Sequence, residues 1–148
     1  MKRRTAFSAL ALGLGLSLGL LAGCGKKMVQ PEELLTEYID LLNQGDYADM
    51  YDFLTEEAQE TTDKETYVNR YKNIYGGIEA SDVRIDIADE GDKKDEKAET
   101  QRVKYTLTMD TIAGELSFDT VAIFTQNEDG DYKMSWDSQD IFPNLYNE

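Results

Sequence analysis

From Pro31 onward apolar residues recur every three or four positions, and after Ser81 they alternate with polar ones. Leu34, Leu35, Tyr38, Leu41 and Leu42 share one face of a predicted first helix, the spacing of an amphipathic element. Pro31 suits its first turn, Glu32 and Glu33 complement the positive end of its dipole, and Gly45 is placed to close it. Asp46 can cap a short second helix that buries Tyr47, Met50, Tyr51 and Leu54. Thr62-Asp63-Lys64-Glu65 reads as a capping box opening a third. Tyr67, Tyr71, Ile74 and Tyr75 form its stripe, and Gly76-Gly77 its stop.

Past Ser81 the period is two. Val83, Ile85 and Ile87 alternate with Arg84 and Asp86 in a first strand. Residues 89–101 are almost all charged or small, the composition of a solvated loop. Val103, Tyr105, Leu107 and Met109 alternate with Lys104, Thr106, Thr108 and Asp110 in a half-buried second strand. A turn at Ala113-Gly114 leads to a third strand, from Glu115 to Thr125, with Leu116, Phe118, Ala122 and Phe124 on one face. Val121 and Ile123 take the other face, so cover on both sides is expected there. Asn127-Glu128-Asp129-Gly130 reads as a hairpin turn, and Tyr132, Met134 and Trp136 face one way on the last strand. The order predicts an α+β domain, three N-terminal helices on one face of a mostly antiparallel four-stranded sheet.

The first residues follow a different pattern. Lys2, Arg3 and Arg4 precede an uncharged Leu/Ala/Gly-rich run from Ala6 to Leu21, which closes on Leu21-Ala22-Gly23-Cys24. A basic start, an apolar middle and small residues at the end mark a secretory signal. The ending resembles the bacterial lipobox, whose cysteine receives a diacylglycerol and becomes the first mature residue. The apolar run is shorter than the ~20 residues of a spanning helix, and Gly13, Gly15, Gly19 and Gly23 weaken it further. The expected organisation is a signal peptide over 1–23, a lipidated tether over 24–30 beginning at Cys24, and one folded domain over 31–148. It places the protein on the extracytoplasmic face of the cell membrane, held through lipid on Cys24.

Composition narrows the chemistry. Cys24 is the only cysteine and there is no histidine. Histidine-activated nucleophiles, histidine bases and the usual zinc ligand sets are thereby removed, and no metal or other cofactor is expected. Residues 1–23 hold three of the 15 basic residues and none of the 30 acidic ones, so the chain from Cys24 carries a formal charge of −18. Such a field repels nucleic acid and anionic headgroups, leaving acyl chains as the anchor.

The order of elements and four segments together resemble the nuclear transport factor 2-like N-terminal domain of low-affinity class B penicillin-binding proteins, the methicillin-resistance type. Pro31-Glu32-Glu33-Leu34-Leu35 leading to Gly45-Asp46-Tyr47 is one such segment, and Tyr67 to Gly77 is another. Tyr105 to Thr111 is a third, and Trp136-Asp137 through Ile141-Phe142-Pro143 is the sharpest, matching the exit to that family's next domain. The resemblance implies a curved, cone-shaped version of the predicted fold. It also implies a non-catalytic spacer and scaffold associated with cell-wall synthesis and the response to β-lactam antibiotic. A transpeptidase domain or another cell-wall synthesis protein is its implied partner. The departure is chemical: no serine begins a Ser-x-x-Lys or Ser-x-Asn pattern, and there is no Lys-Thr-Gly or Lys-Ser-Gly.

Other sites can be weighed. Asp110, Asp119 and Asp137 lie on or beside strands that could line the cone, and nine tyrosines are available. An Asp base with a Tyr donor performs proton transfer in a ketosteroid isomerase of the same broad fold. Core packing accounts for tyrosines at these spacings, so no catalytic residue is assigned. Asn127 to Asp131 fails a calcium-loop register, because Thr125 and Trp136 stand where ligands are required. The run from Asp89 to Glu99 reads as solvated loop rather than a cation site, and Trp136 as packed beside Phe142 rather than stacked on a ligand. A stand-alone lipoprotein binding a small ligand in its cone is the second functional reading.

Overall fold

The structure, a computed structural model, describes residues 28–89, 98–138 and 140–141. The signal, Cys24, most of the tether, the middle of the charged loop and the Phe142-Pro143 exit lie outside the described residues.

Helix α1 spans Pro31–Gln44, with Pro31 in its first turn. It ends at Gly45, whose φ of 75° is left-handed. There the Gly45 N–H donates to the Leu42 carbonyl at 3.1 Å and the Asp46 N–H to Leu41 at 3.0 Å, closing the last turn as a Schellman motif does. Its buried face is Leu35, Tyr38, Ile39 and Leu42. Leu34 and Leu41 are half-buried, so the stripe is rotated toward Ile39 from the one predicted. Helix α2, Tyr47–Met50, runs into a single 3-10 turn over Tyr51–Phe53. The Asp46 side chain makes no cap bond there.

Among the described residues four α-helices form where three were predicted. The additional one, α3, is Glu56–Thr61, capped by the Thr55 hydroxyl, which accepts from the Ala58 N–H. It escapes a periodicity argument because Ala58 is its one buried residue. Helix α4, Lys64–Gly77, is capped by Asp63, one residue later than the expected Thr62. Asp63 accepts from the Thr66 N–H at 2.9 Å, while Thr62 is buried and its carbonyl accepts the Tyr51 hydroxyl at 2.8 Å.

Strands β1 (Ser81–Ile87), β2 (Thr100–Thr111), β3 (Gly114–Gln126) and β4 (Tyr132–Met134) form one antiparallel sheet in sequence order. The register sets Val103 opposite Ala122 and Leu107 opposite Phe118, so odd residues of β2 and even residues of β3 face the helices. The opposite face is polar: Thr106 bonds Asp119, Thr108 bonds Ser117, and Arg84 pairs with Glu115. Val121 and Ile123 are half-buried on it. The β2–β3 hairpin outruns the helices, which leaves Leu116 40% exposed instead of buried.

Both sheet edges are managed. Asn43 of α1 donates to the Val83 carbonyl at 2.7 Å and accepts from the Val83 N–H at 2.9 Å. This side chain imitates a neighbouring strand on β1, as an edge otherwise invites pairing. At the other edge the Thr55 N–H donates to the Met134 carbonyl, and Leu54 bridges Met134.

Candidate functional site

Spacing on α4 puts Tyr67, Tyr71 and Tyr75 on one buried face, and Tyr38 meets them from α1. The Tyr38 hydroxyl lies 2.6 Å from that of Tyr67 and 2.7 Å from that of Tyr71. Trp136, two residues past β4, donates its indole N–H to the Tyr71 oxygen at 3.1 Å. Ring centroids stand 4.9 Å apart for Tyr67 and Trp136, 4.8 Å for Tyr67 and Tyr71, and 5.6 Å for the stacked Tyr71 and Tyr75. These are distances at which aromatic pairs attract beyond simple burial.

Burial raises the Tyr38, Tyr71 and Tyr75 phenols well above their ordinary value, and neighbouring phenols add to it. Burial raises Tyr67 as well, against hydrogen bonds from Tyr38 and Tyr71 that lower it. Tyr105 is pushed up to about 12 by burial and then by the charge of Asp140. These are neutral hydrogen-bonding groups rather than bases. Unfolded phenols ionise near pH ~10, so the fold keeps this stability below that pH and loses it as pH climbs toward the raised values. Alkaline titration should therefore show phenolate absorbance from the cluster appearing together with loss of circular dichroism. Smooth titration of every tyrosine in a still-folded chain would contradict the burial.

Beside this cluster the cone is open. Strand β4 pairs with β3 at Phe124, Thr125 and Gln126, and the preceding residues of β3 border a cavity of about 390 Å³. Tyr38, Tyr71 and Trp136, all buried, make its floor, while the exposed Glu57, Asp137 and Asp140 edge its mouth. The Asp137 N–H donates to Asp140 Oδ2 at 2.7 Å. Partial burial raises the Asp140 carboxyl above the usual range; the bond from Asp137 lowers it and the Asp137 charge raises it again.

The structure separates the three aspartates that were expected to line the cone. Asp137 reaches the mouth. Asp110 pairs across from Glu115 on the outer face, and Asp119 accepts the Thr106 hydroxyl there at 2.7 Å. The parity of β2 and β3 turns both away from the helices. Trp136 is buried against Tyr67 and Tyr71, whereas its expected neighbour Phe142 lies outside the described residues. In the Asn127 turn the amide oxygen accepts the N–H groups of Asp129 and Asp131, and so serves the turn itself. Among the described residues no group of three or more acidic side chains could hold a metal ion. Sequence reasoning missed Glu57 and Asp140; the signal for Glu57 was the Thr55-Glu56-Glu57 helix start.

A tapering α+β cone, floored by aromatic residues and open at one end, defines a nuclear transport factor 2-like domain. The chain belongs to the family described as the NTF2-like N-terminal transpeptidase domain, which matches residues 30–148. It is 31% identical over 129 residues to "Penicillin-binding protein 3" of Bacillus subtilis (strain 168), a match covering 84% of this chain and 19% of that relative. The chain thus spans about a fifth of the length of the curated relative it matches.

Proposed function

We propose that this protein is a membrane-tethered, extracytoplasmic and non-catalytic domain of penicillin-binding-protein type. It acts as a spacer and scaffold in cell-wall synthesis and in the response to β-lactam antibiotic. In this reading residues 1–23 are a lipoprotein signal, Cys24 carries the lipid, residues 24–30 are the tether, and 31–148 are the spacer domain. The observation that carries it is the family match over nearly all of the chain past the tether, joined to a sequence with no Ser-x-x-Lys and no histidine. Without those groups nothing is placed to attack a β-lactam and hold the acyl product. No described helix is long and apolar enough to cross a membrane; what supports attachment through Cys24 is the Leu21-Ala22-Gly23-Cys24 ending.

Fluorescent penicillin tests the non-catalytic part. The full chain in detergent should remain unlabelled under conditions that saturate a transpeptidase, and label surviving denaturing electrophoresis would overturn the assignment. Deleting residues 31–141 while keeping the anchor tests the cellular role. Altered β-lactam susceptibility is expected, and unchanged susceptibility counts against the scaffold. The open cavity favours a second reading, a lipoprotein that binds a small ligand in its cone.

A further inference from the structure

We propose that the open half of strand β1 binds an extended segment of another protein, added antiparallel to Ile85 and Ile87, with a basic residue opposite Asp86.

Backbone direction fixes which residues of β1 are available. The Ala88 N–H donates across to the Lys104 carbonyl at 2.9 Å. Even residues of this stretch therefore turn their backbone groups toward β2, and odd residues turn theirs outward. Val83 agrees, since Asn43 takes both of its groups from outside. By the same parity Ile85 and Ile87 present their N–H and C=O groups at the edge. Among the described residues nothing bonds them there. Such a row is a template for a further strand.

Protection of this edge is confined to its first half. The register slips between Ser81 and Arg84, Asp82 takes a left-handed φ of 50°, and Asn43 fills the place of a neighbouring strand at Val83. A bulge and a plugging side chain both keep strands from adding. Neither reaches Ile85. Burial changes at the same point: Val83 is buried, whereas Ile85 and Ile87 are half-buried against the core. Apolar surface is left beside the unpaired backbone, on the face that a partner's alternate residues would cover.

Charge selects the occupant. In an antiparallel addition that bonds Ile85 and Ile87, the residue opposite Asp86 forms a non-hydrogen-bonded pair, with the two side chains close together on the outer face. Asp86 is exposed and has no ion pair among the described residues. Arg84 makes no such demand, because Asp82 and Glu115 already hold it. A second copy of this chain fits badly. Bonding both isoleucines of each copy would set the two Asp86 carboxylates opposite each other, which is unfavourable. The register that brings Arg84 opposite Asp86 runs each strand into Asn43 at Val83. The net charge of −15 at pH 7 also holds two copies apart. The occupant that fits is a foreign segment reading apolar-basic-apolar.

The test uses a dye-labelled peptide, Thr-Val-Lys-Val-Thr with blocked ends, and follows its anisotropy on the full chain in detergent. One control has Glu in place of Lys. The other is N-methylated at both valines, which removes the N–H donors and keeps the charge. Saturable binding of the Lys peptide in the millimolar range or tighter is expected, with the Glu peptide several-fold weaker and the methylated one at least about tenfold weaker. Asp86→Lys should reverse the order of the Lys and Glu peptides. Ile87→Pro removes an N–H that makes no bond to β2, so the sheet should survive and the binding should not. If Ile87→Pro disturbs circular dichroism, Asp86→Lys carries the comparison alone. Absence of saturation, equal binding of the methylated peptide, an unchanged order in Asp86→Lys, or full affinity in folded Ile87→Pro would each overturn the proposal. A dimer of the chain that Ile87→Pro dissolves would give the edge to a second copy and overturn it too. Penicillin labelling is indifferent to all of these results, so this inference and the non-catalytic reading fail separately.

Discussion

Replacing Trp136 with alanine is expected to lower the melting temperature of the chain by more than about 10 °C. Trp136 is 7% exposed, touches the rings of Tyr67 and Tyr71, and donates to the Tyr71 hydroxyl. Removing a buried aromatic side chain costs about 3–5 kcal/mol, from lost transfer energy and from the cavity left behind. Each kcal/mol shifts domains of about 60–100 residues by roughly 4–8 °C and those of about 150–250 by roughly 2–4 °C, and a domain over 31–148 falls between the two. Trp136→Phe keeps much of the ring packing and loses only the N–H, so it should fall between the parent and the alanine variant. A Trp136→Ala chain melting within a few degrees of the parent would show that the cluster is not a structural centre.

A second large effect is expected at the other end of the chain. Cys24→Ser should move the protein out of the membrane fraction, or leave it unprocessed with its signal attached. Two acyl chains supply stable anchoring at about 0.8 kcal/mol per buried methylene. If lipid on Cys24 is the anchor, the part beyond residue 23 offers no electrostatic substitute, because its formal charge of −18 is repelled by anionic lipid. The effect is therefore all-or-none rather than graded, and fractionation with an N-terminal mass measurement reads it directly. A Cys24→Ser protein that is processed normally and stays on the membrane would rule out lipidation.

Where the sequence was legible, local chemistry and tertiary need agreed. The Gly45 closure, the tyrosine stripe on α4, the alternation of β2 and the hairpin turn at Asn127 all form as predicted. Where it was not, a tertiary demand outweighed a local signal. Thr62 looked like a cap, but its carbonyl is taken by Tyr51 and the cap passes to Asp63. Ile39 was passed over because Leu34 and Leu41 made an equally good stripe. Packing against the rest of the core decided between the two faces. Helix α3 carried a start signal and almost no apolar periodicity, so pattern alone had little to find.

The candidate site divides in the same way. Its tyrosines were visible as core positions, since hydrophobic period reports which face is buried. That their hydroxyls converge was not visible, because Tyr38 and Tyr71 are 33 residues apart in sequence and period says nothing about where two faces meet. Asp110 and Asp119 are alike in sequence to Asp137, yet strand parity turns the first two outward, and only the chain past β4 brings the third to the mouth.

Sequence by itself thus determined the α+β class, the acidic character, the family resemblance and the absence of histidine chemistry, all properties of residue type and spacing. The tertiary structure alone decided the cavity, the convergence of the tyrosine hydroxyls beside it and which aspartate reaches its mouth. These depend on how far β4 runs before it stops pairing, and on which distant side chains are brought within hydrogen-bonding distance when the helices close on the sheet.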